Sequence, residues 1–529
     1  MYFKKNVIRK TFSIAFLFLY GVSFSQNFHV KSGASISVAA GHALHIKGSL
    51  TIESNGSLIL NSDATKSASL MLDKGATVSG DITYKRYVDS DWHIVSAPVS
   101  SQSVPTFVDD VNNEVAQSTS SEKYAVAYYK NNNNSGKRWV YHVQNNSTAE
   151  NEEVLTNFDT AKGYAMKRSS PGTYAFTGGT TASDVSTTLT TSGGTTHRWH
   201  GVGNPFPSFI AANNNANSSN NILQKNLNIL DDEYAVLYVW DDNEYKTIDQ
   251  TSSISDATFA PGQGFMIKTK GDSHTFVFEK DATSHQGGNM TFHRNSNTSI
   301  PTIMVHLSND DKNKSTTVKY LNNTTLGLDP GYDAGAYQDG TPIFAINTHL
   351  VSDSNGTDFT QQCLPESALG TVVIPLSVYA QENLELNFSA TTSDFPTSFE
   401  NEIYIEDREN NTLHNISGDT AYQITLSNAV SGIGRFYLHT SSNTLGTDDS
   451  QVLDLVNIYT SSRDNLRIEG VQHETATVQL YNILGNQVLN TEFNGNGMND
   501  IKLPDLSIGV YIVRLITLKG ITKKKIIIQ

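Results

Sequence analysis

Residues 91–99 read D-W-H-I-V-S-A-P-V, and the pattern returns at 198–208 as R-W-H-G-V-G-N-P-F-P-S. Two further stretches repeat in the same order: E-K-Y-A-V-A-Y-Y-K at 122–130 returns as D-E-Y-A-V-L-Y-V-W at 232–240, and A-K-G-Y-A-M-K at 161–167 as G-Q-G-F-M-I-K at 262–268. The separations are 107 from Trp92 to Trp199, 110 from Tyr124 to Tyr234 and 101 from Gly163 to Gly264, so the insertions fall between the conserved stretches, where loops absorb them. An internal repeat of this length constrains the fold before any motif does. It predicts two successive units, 84–185 and 186–297, and their short alternating apolar runs predict strands.

The rest of the chain is punctuated in the same way. Gly33, Gly41, Gly48 and Gly56 each open a short alternating run, a spacing that suits rungs of a β-solenoid over 26–83, with a hairpin meander as the alternative. Ala39, Ala40 and Ala43 are expected at its tight corners. Residues 298–442 carry further strand-like runs and predict a β-sandwich. A polar segment at 443–454 reads as a linker, and 455–529 as a small antiparallel sandwich of about seven strands. The class expected is therefore all-β and multidomain. Composition agrees, since charged residues are only 17% of the 529 and the aromatic share is carried by 23 Tyr and 23 Phe.

A net charge of −15 argues against nucleic acid as a partner. The single cysteine, Cys363, excludes an intramolecular disulfide and any cysteine-built metal centre, and reads as a small buried apolar residue. At the N-terminus, Lys4, Lys5, Arg9 and Lys10 precede an apolar run from Thr11 to Phe24 that closes on small residues. This reads as a signal peptide, residues 1–25, cut between Ser25 and Gln26. The run is shorter than the roughly 20 residues of a transmembrane helix, so no span is expected in the mature chain.

The C-terminal order V-x-L-Y-N-I-L-G-N-x-V, then L-P-D-L-S-I-G-V-Y-I-V-R-L, then G-I-T-K-K-K-I-I-I-Q resembles the sorting domain, type A-like, of type IX secretion cargo. Gly485, Gly509 and Tyr511 match that family's turn and strand positions, and Lys523, Lys524 and Lys525 its basic last strand. Where many members open with Y-P-N-P, this chain has Tyr459-Thr460-Ser461-Ser462. The resemblance implies a passenger that crosses the inner membrane of a Gram-negative bacterium by its signal peptide and the outer membrane by the type IX translocon. It further implies that the tail is removed and the passenger released or held at the cell surface. The W-H-x-V-x-N-P-F-P vocabulary of the repeats, G-L-D-P-G-Y-D-A-G at 327–335 and G-R-F-Y-L-H-T at 434–440 are similar to stretches of other such cargo, whose biochemical role is undefined.

No H-E-x-x-H, G-x-S-x-G, P-loop or dinucleotide fingerprint occurs, so no catalytic residue is singled out and a non-enzymatic surface or matrix adhesion protein is expected. Carboxylate pairs of glycosidase type are set by spatial rather than sequence separation, which keeps a carbohydrate-binding or carbohydrate-degrading accessory protein as the alternative. Calcium is the one cofactor weighed. Asp329, Asp333 and Asp339 crowd one loop, and Asp353, Asn355 and Asp358 the next, though without EF-hand spacing, and solvated turn residues are the plainer reading. Trp139, Trp240 and Tyr245 are candidate contacts for an extracellular glycan, while Trp92 and Trp199, at equivalent repeat positions, suit a core. His197 and His200 lie three apart in strand-like sequence, which places them on opposite faces and argues against a metal pair.

Overall fold

The computed structural model describes residues 17–19, 22–119, 122–145, 147–191, 197–241, 244–252, 257–286, 300–395, 402–441, 456–518 and 520–528. Most of the signal peptide and all of the 443–454 linker lie outside them. The described chain is all-β and multidomain. Its α-helices are single short turns, Val104–Asp109 and Ile222–Asn226, each started by a side-chain cap from Ser103 or Asn221. Two compact units form, one from residues 1–231 with 236–296 and one from 232–235 with 297–529.

The first unit begins with a parallel two-sheet solenoid. Strands Leu17–Leu19, Ser35–Val38, Ser57–Leu60 and Ile82–Val88 stack in one sheet. Val22–Val30, Ala43–Ile52, Ser69–Leu72 and Thr77–Ser79 form the other. Ser35 lies beside Ser57 and Asn27 beside Ser49, an advance of 22 residues per coil. One coil therefore spans three of the glycine-led repeats, and parallel pairing excludes the hairpin meander. Gly33 (φ 79°) and Gly41 (φ 77°) take left-handed turns at strand ends. Ala43 departs from the expected corner: it opens the strand Ala43–Ile52 and is buried, because the turn is made two residues earlier at Gly41. Alternate residues Leu44, Ile46 and Leu50 point inward to meet Val38, Leu58, Leu60 and Leu70.

Two sheets that share a four-strand path follow, the first with Glu152–Glu153 as a fifth strand beside Trp139–His142. In the first, Trp139–His142, Val126–Tyr129, Tyr164–Met166 and His93–Val95 are neighbours in that order. In the second the order is Glu244–Ile248, Leu237–Asp241, Gly264–Lys268 and Trp199–Gly203. Their contacts with each other are reciprocal. Val95 bridges Gln263 while Val202 bridges Lys162, and a Cβ on Gly264 would lie 2.5 Å from Ile94 while one on Gly163 would lie 2.7 Å from the Val202 carbonyl. Backbones approach this closely only through glycine, which is why Gly163 and Gly264 recur in both copies of the sequence. The boundaries expected at 83 and 185 fall inside strands: Ile82–Val88 belongs to a solenoid sheet and takes Gly172–Gly178 as its antiparallel partner, and Val185–Thr190 pairs with Ser273–Phe278.

In the second unit, residues 302–439 form one hydrogen-bonded path of strands instead of two separate sheets. The path runs from Thr412–Asn415 through Val430–His439, Ile374–Ala380, Phe359–Pro365 and Asn313–Leu321 to Glu385–Ser393 and Tyr422–Thr425. It curls over its own core, because Phe388 and Phe436, on strands far apart along it, pack with ring centroids 4.8 Å apart. A layered core thus arises from a single curved sheet.

Candidate functional site

Among the described residues the C-terminal segment forms five strands, Asn457–Ser462, Asn465–Asn482, Gln487–Lys502, Gly509–Thr517 and Gly520–Ile528, against the about seven the sequence suggests. Turn-like residues within the second and third strands are absorbed as register shifts between Glu469 and Val471 and between Gln472 and Thr475, with Gly470 at φ 96°. Such bulges bend a strand without ending it. Gly485 (φ 81°) makes the hairpin turn, where the Asn482 side chain accepts from the Leu484 and Asn486 amides at 3.0 Å each. Gly509 opens the fourth strand, and the Tyr511 hydroxyl donates to the Ser507 carbonyl at 2.9 Å, pinning the chain as it enters the sheet.

Strand alternation divides the lysine run between two faces. Lys524 lies opposite Val513 on the core side, whereas Lys523 and Lys525 are exposed on the other. There Val510 pairs with Ile527, Ile512 with Lys525, Arg514 with Lys523 and Ile516 with Ile521, so two strands present aliphatic and cationic side chains and no carboxylate. Arg514 directly opposite Lys523 is a like-charge pair that disfavours the sheet by itself and that an acidic partner would relieve. A groove of ≈ 480 Å³ borders this face, lined by Tyr481, Asn482, Ile483, Gly485, Ile512, Arg514 and Lys523. Arg514 is aimed by a 3.0 Å bond to Gln479.

The calcium candidates are distributed differently from a shared cage. Asp333 is buried, accepting from the Cys363 amide at 2.6 Å and from the Asp329 amide at 2.7 Å. Asp329 accepts from the Thr325 amide at 2.6 Å, Asp339 is half-buried in the same loop, and Asp353 and Asn355 are exposed. Asp358 is buried and accepts from His349 at 2.8 Å, Gln338 at 2.8 Å and Tyr379 at 2.9 Å. Burial works against its charge, but the His349 and Gln338 contacts hold it below the usual carboxylate range. Among the described residues no three His, Cys, Asp or Glu side chains converge as metal ligands. Cys363 is fully buried, in the setting expected of a small apolar side chain.

Trp139 and Trp240 are half-buried, and each packs edge-on against a tyrosine across a hairpin: Trp139 on Tyr129 at 5.1 Å and Trp240 on Tyr245 at 5.0 Å. Trp199 is buried against Tyr238, whereas its counterpart Trp92 is only half-buried, against Tyr141. His197 accepts or donates to the Tyr129 hydroxyl at 2.6 Å, and His200 meets Thr269 at 3.3 Å. Burial, with Arg138 and Lys268 beside His197 and with His274 and His197 beside His200, pushes both imidazoles down to about 4, so both are neutral at pH 7.

One constellation escapes the sequence entirely. His349 and Asp358, with Gly356 between them in the 349–358 segment, lie against Glu469 and Tyr459 of the tail, about a hundred positions on in the chain.

The chain belongs to the family described as domain of unknown function DUF8693, whose model matches residues 7–439. Residues 457–529 match the secretion system C-terminal sorting domain, which makes the chain cargo of the type IX secretion system and its tail a partner of that machinery. No curated protein matches the chain. Among solved structures, a polysaccharide lyase is similar at 6% identity over 43% of this chain and 39% of that one, with a TM-score of 0.12. Dimeric latent PorU from Porphyromonas gingivalis is similar at 10% identity over 47% of this chain and 30% of that one, with a TM-score of 0.13. The chain thus spans less than half the length of either, and overlaps this slight carry no argument about activity. Among the described residues no helix is long and apolar enough to cross a membrane.

Proposed function

We propose that residues 26–442 are a non-enzymatic adhesion or matrix component that works outside the cell after export, with the signal peptide cut between Ser25 and Gln26. The observation that carries the adhesive reading is the Trp–Tyr pair that each middle module holds across a hairpin, Tyr129 with Trp139 and Trp240 with Tyr245. Tryptophan offers a flat apolar face on which a sugar ring can stack, and the edge-on tyrosine fixes its orientation. The shared strand order and reciprocal glycine contacts support the inference that the two modules arose as copies of one. Replacing Trp139 and Trp240 by alanine in the full chain should lower attachment to immobilised glycans or matrix by about tenfold, a loss of roughly 1.4 kcal/mol, with the fold retained. Undiminished attachment would remove these residues from the site. Release of soluble sugar by the wild-type protein would favour the carbohydrate-degrading alternative.

A further inference from the structure

Glu469 has a position unlike that of any other described carboxyl in the tail. It is 3% exposed, Oε1 accepts from the Tyr459 hydroxyl at 2.8 Å, and Oε2 is buried with no hydrogen-bond partner among the described residues. The surroundings come from both the tail and the curved sheet. Tyr459 and Arg467 face it from the first two tail strands, His349 and Asp358 from the 349–358 segment, Tyr379 from strand Ile374–Ala380 and Tyr437 from strand Val430–His439. The Tyr459 ring seats directly on Gly356, where a Cβ would overlap the phenol. Beneath it His349 bonds Asp358 at 2.8 Å and reaches Ser354 at 3.4 Å, all three being buried.

We propose that His349, Gly356 and Asp358 form a socket in which the sorting domain seats through Tyr459 and Glu469, and that the half-satisfied carboxyl of Glu469 keeps this seat weak enough to open at export. This rests on the reading of 457–529 as the sorting domain. An acid oxygen buried without a donor disfavours the closed arrangement, whereas exposure on opening restores its water. Burial raises the Glu469 carboxyl above its ordinary range, an effect that Asp358 adds to and that His349, Tyr459 and Arg467 partly oppose. A raised carboxyl favours the seated state at pH below its own value, and that preference is lost as pH rises through it. Closed seating is therefore firmest in acid and loosest in alkali.

Hydrogen exchange read by mass spectrometry on the full chain tests this, following the amides of 350–361 and 457–470. Glu469→Gln keeps the shape and the acceptor for Tyr459 while removing the buried charge. Its exchange should be at least about tenfold slower than wild type at pH 8, and the ratio should shrink towards unity as the pH is lowered and the wild-type carboxyl protonates. Tyr459→Phe removes the hydroxyl that donates to Glu469 and should move exchange the other way. A Glu469→Gln to wild-type ratio that is near one at pH 8, or that does not change with pH, would overturn the proposal. Export assayed in parallel separates the two readings. A chain lacking 457–529 that still leaves the cell would defeat the sorting reading itself, whereas tail-dependent export with an unchanged exchange ratio defeats only the socket.

Discussion

Gly163 and Gly264 act by what they lack. Each sits where the backbone of the other module passes within contact distance, and the nearest atoms include main chain: the Val202 carbonyl for Gly163 and the Ile94 carbonyl carbon for Gly264. Main chain in a paired sheet gives way less easily than a flexible side chain, so an added methyl must move a strand. Gly264→Ala should lower stability by about 1–3 kcal/mol, with the melting transition of the first unit falling by several degrees. Gly163→Ala should cost a similar amount because the contact is reciprocal. Differential scanning calorimetry would check both, and melting unchanged from wild type would show that the strands separate freely. These glycines were legible in sequence as part of a repeated phrase, but their reason was not, since nothing in G-Y-A-M-K says that another backbone lies against it. The same limit hid Glu469 and the His349–Asp358 pair, whose meaning depends on distances between segments far apart in the chain. It also hid the core ion pair in which buried Asp407 holds Arg435 through bonds of 2.9 and 3.1 Å while accepting from Tyr422.

At the level of elements, the last strand turns a run of three lysines into two different environments. Alternation sends Lys523 and Lys525 to the face shared with Arg514, and Lys524 to the half-buried opposite side. If the translocon reads that outer face through complementary charge, Lys523→Glu with Lys525→Glu should reduce export by roughly tenfold, because reversed rim charges act chiefly on recognition. Stability should stay within about 0.5 kcal/mol, as both residues are exposed. Immunoblots of periplasm and medium would show the protein retained inside, and export at the wild-type level would sink the assignment. The strands themselves were readable from alternation and turn residues. Their number was not, because a glycine with positive φ can end a strand or bulge it, and only the partner strand decides: Gly470 bulges, while Gly485 turns. For the same reason a curled single sheet at 302–439 resembles a two-sheet sandwich when only the inward and outward pattern is visible.

Across the whole molecule, the tail marks the chain for export, and removal of the expected signal peptide and of the tail would require the middle to keep its fold without either. The strand Val22–Val30 runs through the expected cut, but its pairing with Ala43–Ile52 is already interrupted between Ser25 and Asn27. Cleavage there removes the pairs made by Leu17–Leu19 and by Val22 to Ser25 and leaves those from Asn27 to Val30, while Ser35–Val38 keeps Ser57–Leu60 and Ala43–Ile52 keeps Ser69–Leu72 as parallel neighbours. Loss of the tail uncovers Gly356 and the buried His349–Asp358 pair but leaves the core around Phe388 and Phe436 intact, since that core is built from strands of 302–439 alone. Mass spectrometry of the intact protein from washed cells and from culture medium should therefore find a mature form that starts at Gln26 and ends before the sorting domain. Its thermal transition for the first unit should match that of the uncut chain. The fraction in which the mature form is recovered distinguishes a surface-held passenger from a released one. A protein recovered only inside the cell with residues 457–529 still attached would mean that the tail is an ordinary domain of the fold, and that the exposed face formed by Arg514, Lys523 and Lys525 serves something other than export.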